Sequence, residues 1–241
     1  MFDVRWSRLL GIVAVPALAA LAVAGCSPGS SAPHAVPSAS DHPASPGAET
    51  SYTAAQLRGA LLTRINGQSP AAPVESGAYG SLAQVEATKN AMNGVTVNPA
   101  ECAQTTVTGF SSPSFTSVPA TVSTFRVGRN GISEVLLAPS SATAVLALGQ
   151  QVPAACTRYT ATVKGKTFVY TVSERIVRNL GQEARAMNIQ ATGSGSINVW
   201  SVVYRASHFV GAVTIVGPGA SASTATALAA QAYAHAARTL H

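Results

Sequence analysis

The chain has 241 residues, enough for one large domain or two small ones. Hydrophobic residues make up 47% of it, ample for a core, whereas charged residues make up only 10%, well under the usual quarter or so. The net charge is +6, yet Asp occurs only at Asp3 and Asp41, which excludes much Asp-dependent chemistry from the chain beyond Thr50.

Residues 1–25 read as an export signal. Arg5 and Arg8 form a short basic region, and Leu9 to Val23 carries no charge. That run is too short for a bilayer span and suits the apolar part of a signal peptide. The segment ends Leu21-Ala22-Val23-Ala24-Gly25-Cys26. This ending resembles a bacterial lipobox, in which small residues fit a narrow peptidase site ahead of a Cys. The Cys26 thiolate would take a diacylglyceryl group and become the new N-terminus. Two or three acyl chains, at roughly 0.8 kcal/mol per buried CH₂, would then anchor the chain to a membrane. The plainer alternative is an ordinary signal peptide that happens to end in Cys.

Ser27 to Glu49 follows, and 18 of its 23 residues are Ser, Pro, Gly or Ala. It has no apolar period, so residues 26–50 read as the lipidated Cys and a disordered linker, roughly 25–30 Å in reach. His34 and His42 lie in it without the partners that a metal site needs.

The folded part is expected over residues 51–241. Thr53-Ala-Ala-Gln56 is a capping-box pattern, Leu57, Leu61 and Ile65 recur on one helix face, and Asn66-Gly67 is a stop. Ser81-Leu-Ala-Gln84 repeats the pattern, with Asn93-Gly94 as its stop. Strands are expected over Thr121–Val127 and Ile132–Leu137, around a turn at Arg129-Asn130-Gly131. Ser140–Leu148 reads as a helix closed by Gly149. Arg158–Lys164 and Thr167–Val177 flank Gly165, and three more strands span Ala184–Thr192, Asn198–Ala206 and Phe209–Val216. An Ala-rich helix closes the chain from about Ser221 to Leu240. With no βαβ rhythm, this is an α+β fold: an antiparallel sheet of about seven strands with flanking helices. Val199, Trp200, Val202, Val203 and Tyr204 put apolar groups on both faces of one strand, so both faces need cover. Helices can cover one; more helix, curling of the sheet or a ligand can close the other.

Cys102 and Cys156 remain, an even pair in an exported domain, where such a pair usually forms a disulfide. Metal ligation needs more ligands than two isolated thiols. A catalytic thiol pair prefers Cys-x-x-Cys spacing.

The layout as a whole is a lipobox, a Ser/Pro linker, a capped first helix and an Asn98-Pro-Ala-Glu-Cys102-Ala turn. Cys156, Leu180-Gly-Gln-Glu-Ala184, two long strands and an Ala-rich closing helix follow. It resembles actinobacterial, mycobacterial-type cell-envelope lipoproteins related to the extracellular sensor domain of the serine/threonine kinase PknH. That resemblance implies an α+β domain with a cleft between sheet and helices, and binding of an extracellular ligand. There are departures. The family often has a second disulfide, where only one is possible here. A Trp often precedes the later Cys, where Pro153-Ala-Ala stands here.

Nothing in the chain marks an enzyme. Gly-x-Ser-x-Gly, Ser-x-x-Lys, His-Glu-x-x-His, calcium-loop and phosphate-loop patterns are all missing. His208, His235 and His241 have no Asp to form a triad, and Glu101, Glu134, Glu174 and Glu183 are scattered. No catalytic, metal or cofactor-binding residue is assigned. Arg158, Lys164, Lys166, Arg175, Arg178 and Arg185 gather in the second half, either as a solvated rim or as a basic mouth for anionic lipid, glycolipid or cell-wall polymer. Nucleic acid is excluded by compartment. The expectation is therefore a lipid-anchored protein on the outer face of the cytoplasmic membrane, with a non-enzymatic ligand-binding or sensor-like domain. A lipid or glycolipid carrier, or a structural envelope protein, is the alternative.

Overall fold

Strand-forming runs separated by tight turns build a single nine-stranded sheet in this computed structural model. The structure describes residues 52–240, apart from 107–109, 111, 150 and 194. The signal segment, Cys26, the linker, Ser51 and His241 lie outside the described residues.

The strands are β1 (Glu75–Ala78), β2 (Val95–Asn98), β3 (Pro119–Val127), β4 (Asn130–Leu137), β5 (Arg158–Val163), β6 (Lys166–Ile176), β7 (Glu183–Thr192), β8 (Ser196–Arg205) and β9 (Val210–Val216). The helices are α1 (Ala54–Gly59), α2 (Ala83–Met92), α3 (Ser141–Gly149) and α4 (Ala222–Thr239). The strands lie in the order β1-β3-β4-β9-β8-β7-β6-β5-β2, and every pairing is antiparallel. The α+β class is as expected, but the sheet has nine strands rather than about seven. The two additions are four-residue edge strands that pair far along the chain, Glu75 opposite Val122 and Val95 opposite Val163. Neither belongs to a local hairpin, so neither carries a turn signal.

Strands β5 to β9 form one meander, and β4 pairs with β9 to join the β3–β4 hairpin to it. The hairpin turns locate the register. Lys164 and Gly165 both have positive φ, 48° and 75°, as the expected turn between β5 and β6 requires. The β3–β4 turn, by contrast, is Gly128-Arg129, with Gly128 at φ 58° and Val127 opposite Asn130. Asn130 and Gly131 therefore begin β4, and the Asn130 Oδ1 instead accepts the Gly219 N–H at 2.9 Å.

The helix ends also follow local chemistry, with two corrections. Thr53 and Gln56 form the expected capping box of α1. The helix stops at Gly59, however, and Asn66-Gly67 is a separate tight turn in which Ile65 and Gln68 exchange backbone hydrogen bonds. Leu57, Leu61 and Ile65 are all buried, although only the first is helical. The Ser81-to-Gln84 capping box does not form. Ser81 bonds back to the Ala78 carbonyl, and Glu75 of β1 accepts the Gln84 N–H at 3.2 Å instead. Ser221 caps α4 through the Thr224 N–H, as its position at the start of the Ala-rich run implies.

Both sheet faces are covered at the centre. On one face Ala225, Leu228, Ala229, Ala232 and Ala236 of α4 pack with α1 on Phe125, Ile132, Leu136, Val202, Val213 and Ile215. On the other face Leu82, Phe110, Phe115 and Ala144 of α3 cover Val122, Leu137, Val210 and Ala212. Tyr204 of β8 is fully buried under α4, directly opposite Gly211. Its ring lies across that glycine, where a Cβ would overlap the Tyr204 Cζ and hydroxyl. Gly211→Ala is therefore expected to lose about 3 kcal/mol through overpacking, as a lower midpoint in urea with an unchanged slope.

Candidate functional site

Cys102 and Cys156 form the expected disulfide, with Cα atoms 5.3 Å apart. Each lies in a 3₁₀ turn, Ala100–Thr106 and Ala154–Cys156, next to β2 and β5. The bridge is buried with Val97, Tyr159, Ala161, Val172 and Ile189 beneath the far end of the sheet. Tyr159 and its cross-strand partner Tyr170 stack there at 5.1 Å.

The face of β2, β5 and β6 opposite that cluster carries no helix among the described residues, because α4 lies over β7, β8 and β9. The register shows what it presents. Asn98, Thr160, Val169, Thr192 and Ser196 form one cross-strand row. Arg158, Thr171, Gln190 and Asn198 form the next. Ser173, Asn188 and Trp200 form a third, with Arg175 beside it. The Arg175 guanidinium lies 5.1 Å from the centre of the Trp200 ring, which orients it along the face. Asn188 is buried at the margin and donates to the Asn198 side chain and the Val199 carbonyl, both at 2.8 Å. Asn198 in turn donates to the Ala220 carbonyl just before α4. The result is an amide- and hydroxyl-rich shelf beside a helix, with two exposed arginines and no carboxylate.

The basic residues do not converge on one mouth, because strand alternation divides them. Arg158 and Arg175 are on the shelf. Lys164 and Lys166 are at the β5–β6 turn, and Arg178 is exposed beyond β6. Arg185 is on the opposite face, 3.8 Å from Glu174. Arg205 makes the second such pair there, 3.7 Å from Glu183. The sheet likewise separates the acids, so Glu134 shares no site with Glu174 or Glu183. His208 is exposed in the β8–β9 turn, and His235 is half-buried on α4. Among the described residues no three His, Cys, Asp or Glu side chains gather as metal ligands, and no helix is long and apolar enough to cross a membrane.

Glu134 is the feature that sequence reasoning passed over. It is fully buried on β4, facing the same way as Ile132 and Leu136. Its Oε2 accepts the Leu62 N–H at 3.0 Å, and its Oε1 has no partner among the described residues. Burial pushes its pKa up to about 7, against a smaller opposite pull from the Leu62 N–H. Burial also raises Tyr204 well above its usual value, with further contributions from Glu134 and Tyr233. The signal was present: one acid at an inward position of an otherwise apolar strand face.

A groove of about 470 Å³ lies beside β1, lined by Ala72, Pro73, Glu75, Ser76, Ser81 and Leu82. It is less than half of the roughly 1,000 Å³ or more that a carrier of long acyl chains needs.

The fold is similar to that of the extracellular domain of PknH from Mycobacterium tuberculosis. The two share 13% identity over 79% of this chain and 99% of that one, with a TM-score of 0.53. The likeness expected from the Pro-x-Glu-Cys turn and the helix–sheet order thus holds at the level of fold. An uncharacterized protein from Mycobacterium smegmatis overlaps more loosely, at 14% identity over 59% of this chain and 76% of that one, with a TM-score of 0.39. No family model matches the chain, and no curated protein does so.

The disulfide closes a sequence separation of 54 residues, which the chain-entropy account values at about 4 kcal/mol. Reduction is expected to lower the melting temperature by about 10 °C in calorimetry, and alkylation after reduction should add two equivalents at Cys102 and Cys156.

Proposed function

We propose that the chain is an exported protein, lipid-anchored through Cys26 on the outer face of the cytoplasmic membrane, with a non-enzymatic, sensor-like ligand-binding domain. The binding surface is the open shelf of β2, β5 and β6 bounded by α4. Its ligand is an anionic, hydroxyl-rich component of the cell envelope, such as an acidic glycan or a glycolipid headgroup.

The observation that carries this reading is the exposed pair Arg158 and Arg175 on a face without a carboxylate. A flat lattice of Thr, Asn, Gln and Ser can exchange hydrogen bonds with sugar hydroxyls, and the two guanidinium groups supply the charge-assisted bonds that favour an anion. The open shape suits a polymer or headgroup better than an enclosed small molecule. The fold shared with a kinase extracellular domain supports the sensor-like part of the reading, and the lipobox-like ending at Cys26 supports the anchor.

Two measurements test these parts separately. Arg158→Ala and Arg175→Ala should each weaken retention on an acidic polysaccharide about tenfold, with Arg178→Ala as the neutral comparison. Equal binding by all three variants would remove the shelf as the site. Cys26→Ala should move the protein from the membrane pellet to the soluble fraction and abolish acyl labelling. Continued pelleting would exclude the anchor.

A further inference from the structure

The α1 segment, residues 52–65, is the first part of the described domain, and a single carboxylate holds its backbone from below. Leu62 lies two residues beyond the cap of α1 at Ala60, and its N–H is the one hydrogen-bond donor to Glu134 among the described residues. The groups around that carboxylate are known from every element packed against it. From β3, Ser123 is its direct register partner, and the Ser123 hydroxyl is buried without a hydrogen bond among the described residues. From β9 the partner is Val213, and that strand has no titratable residue. From β8 comes Tyr204, whose hydroxyl also lacks a partner, with Tyr233 of α4 edge-on to it at 5.7 Å.

The charged side chains of the same elements lie elsewhere. Arg58 and Arg64 of the α1 segment, Arg126 of β3 and Arg238 of α4 are exposed, and the exposed His208 of the β8–β9 turn meets Tyr52 of the segment edge-on at 6.4 Å, a contact that Glu134→Gln leaves in place. Arg205 of β8 is on the opposite face with Glu183, and His235 is half-buried near the end of α4. No cation pairs with Glu134 among the described residues.

An ionised carboxylate here keeps one hydrogen bond in place of the several that water provides. Protonation removes the buried charge, and the Ser123 and Tyr204 hydroxyls on the same face make no hydrogen bond to the carboxyl that would offset it when ionised. Ionisation can be relieved only by water, and the α1 segment is the lid that keeps water out. We propose that Glu134 is a proton-operated latch: protonated, it lets residues 52–65 seat on the sheet, and ionised, it favours their release.

The sign follows from linkage. The seated carboxyl titrates at about 7, and a released, hydrated one at its ordinary 4.5. The seated state therefore binds the proton more tightly. Seating is strongest below about pH 4.5, weakens as the pH rises toward 7 and levels off above it. The full span is roughly 300-fold in the seating equilibrium. In sequence, this segment is the part of the described domain that follows residues 26–50. The latch holds whether or not the polar shelf binds anything.

Hydrogen exchange of the full-length protein, read by mass spectrometry from pH 5 to pH 8 and corrected for the intrinsic chemical rate, tests the latch. Protection of residues 54–65 is expected to fall on the order of 70-fold across that range, while residues 222–239 of α4 keep theirs. Glu134→Gln should leave residues 54–65 equally protected at every pH, because the amide cannot ionise. A flat profile in the unsubstituted protein, a slope that survives in Glu134→Gln, or an equal loss over α4 would each overturn the proposal. Should Glu134→Gln fail to fold, a ¹³C titration of the Glu134 carboxyl in the unsubstituted protein decides. A midpoint near 7, with protection of residues 54–65 falling over the same pH range, upholds the latch, and a midpoint in the ordinary carboxylate range overturns it.

Discussion

A nine-stranded sheet has more surface than its helices can cover. Across the strands it measures about 38 Å, whereas α4, with 18 residues, is about 27 Å long and about 10 Å wide. The helix sits over β7 to β9, where Ala225, Ala229, Ala232 and Ala236 allow it to approach closely. That choice leaves β2, β5 and β6 open on the same side. The composition of those strands answers the geometry: Thr160, Thr162, Thr171 and Ser173 lie on the open side, while Tyr159, Ala161 and Val172 turn to the opposite side. The disulfide is on that opposite side, close to the edge strand farthest from α4, where no long helix reaches. Its placement compensates for the thin cover at that end of the sheet.

The same shortage of cover explains Glu134. Its strand is central, so its inward position must be buried, and among the described residues α1 and the turns after it lie above it. A six-residue helix is too short to be stable by itself. It depends on Leu57, Leu61 and Ile65 packing below it and on the Leu62 N–H finding an acceptor. A carboxylate serves as that acceptor in an otherwise apolar layer, so part of the fold is held through a group with two charge states. The shelf and the latch are thus separate results of one mismatch between sheet and helix area.

Much of this architecture was legible because its signals were local. The Thr53–Gln56 box, the Lys164-Gly165 turn, the meander and the Ser221-capped helix each depend on residues a few positions apart. Apart from the early stop of α1 at Gly59, the failures were non-local. Strands β1 and β2 exist because distant strands offer them edges. The cap of α2 comes from Glu75 on a strand rather than from Ser81 beside it. Asn130 is drawn into β4 and across to Gly219, so the turn falls one step earlier, at Gly128-Arg129. The site was legible in the same proportion. Arg158 and Arg175 stood out as basic residues, but only the strand register divides them from Arg185. Glu134 could have been found from parity alone, since Ile132, Glu134 and Leu136 must share a face.

Both rims of the sheet are four residues long, and this bears on how copies of the chain tolerate one another. An exposed strand edge is a template for pairing with another molecule, and the number of hydrogen bonds on offer grows with its length. The β1 rim, Glu-Ser-Gly-Ala, offers little β-forming side chain as well as little length. The β2 rim ends at Pro99, which has no N–H to donate. If the chain is anchored as proposed, its copies are confined to a plane and meet far more often than in free solution. Abbreviated rims leave such a population few backbone groups to pair edge to edge, however broad the sheet between them.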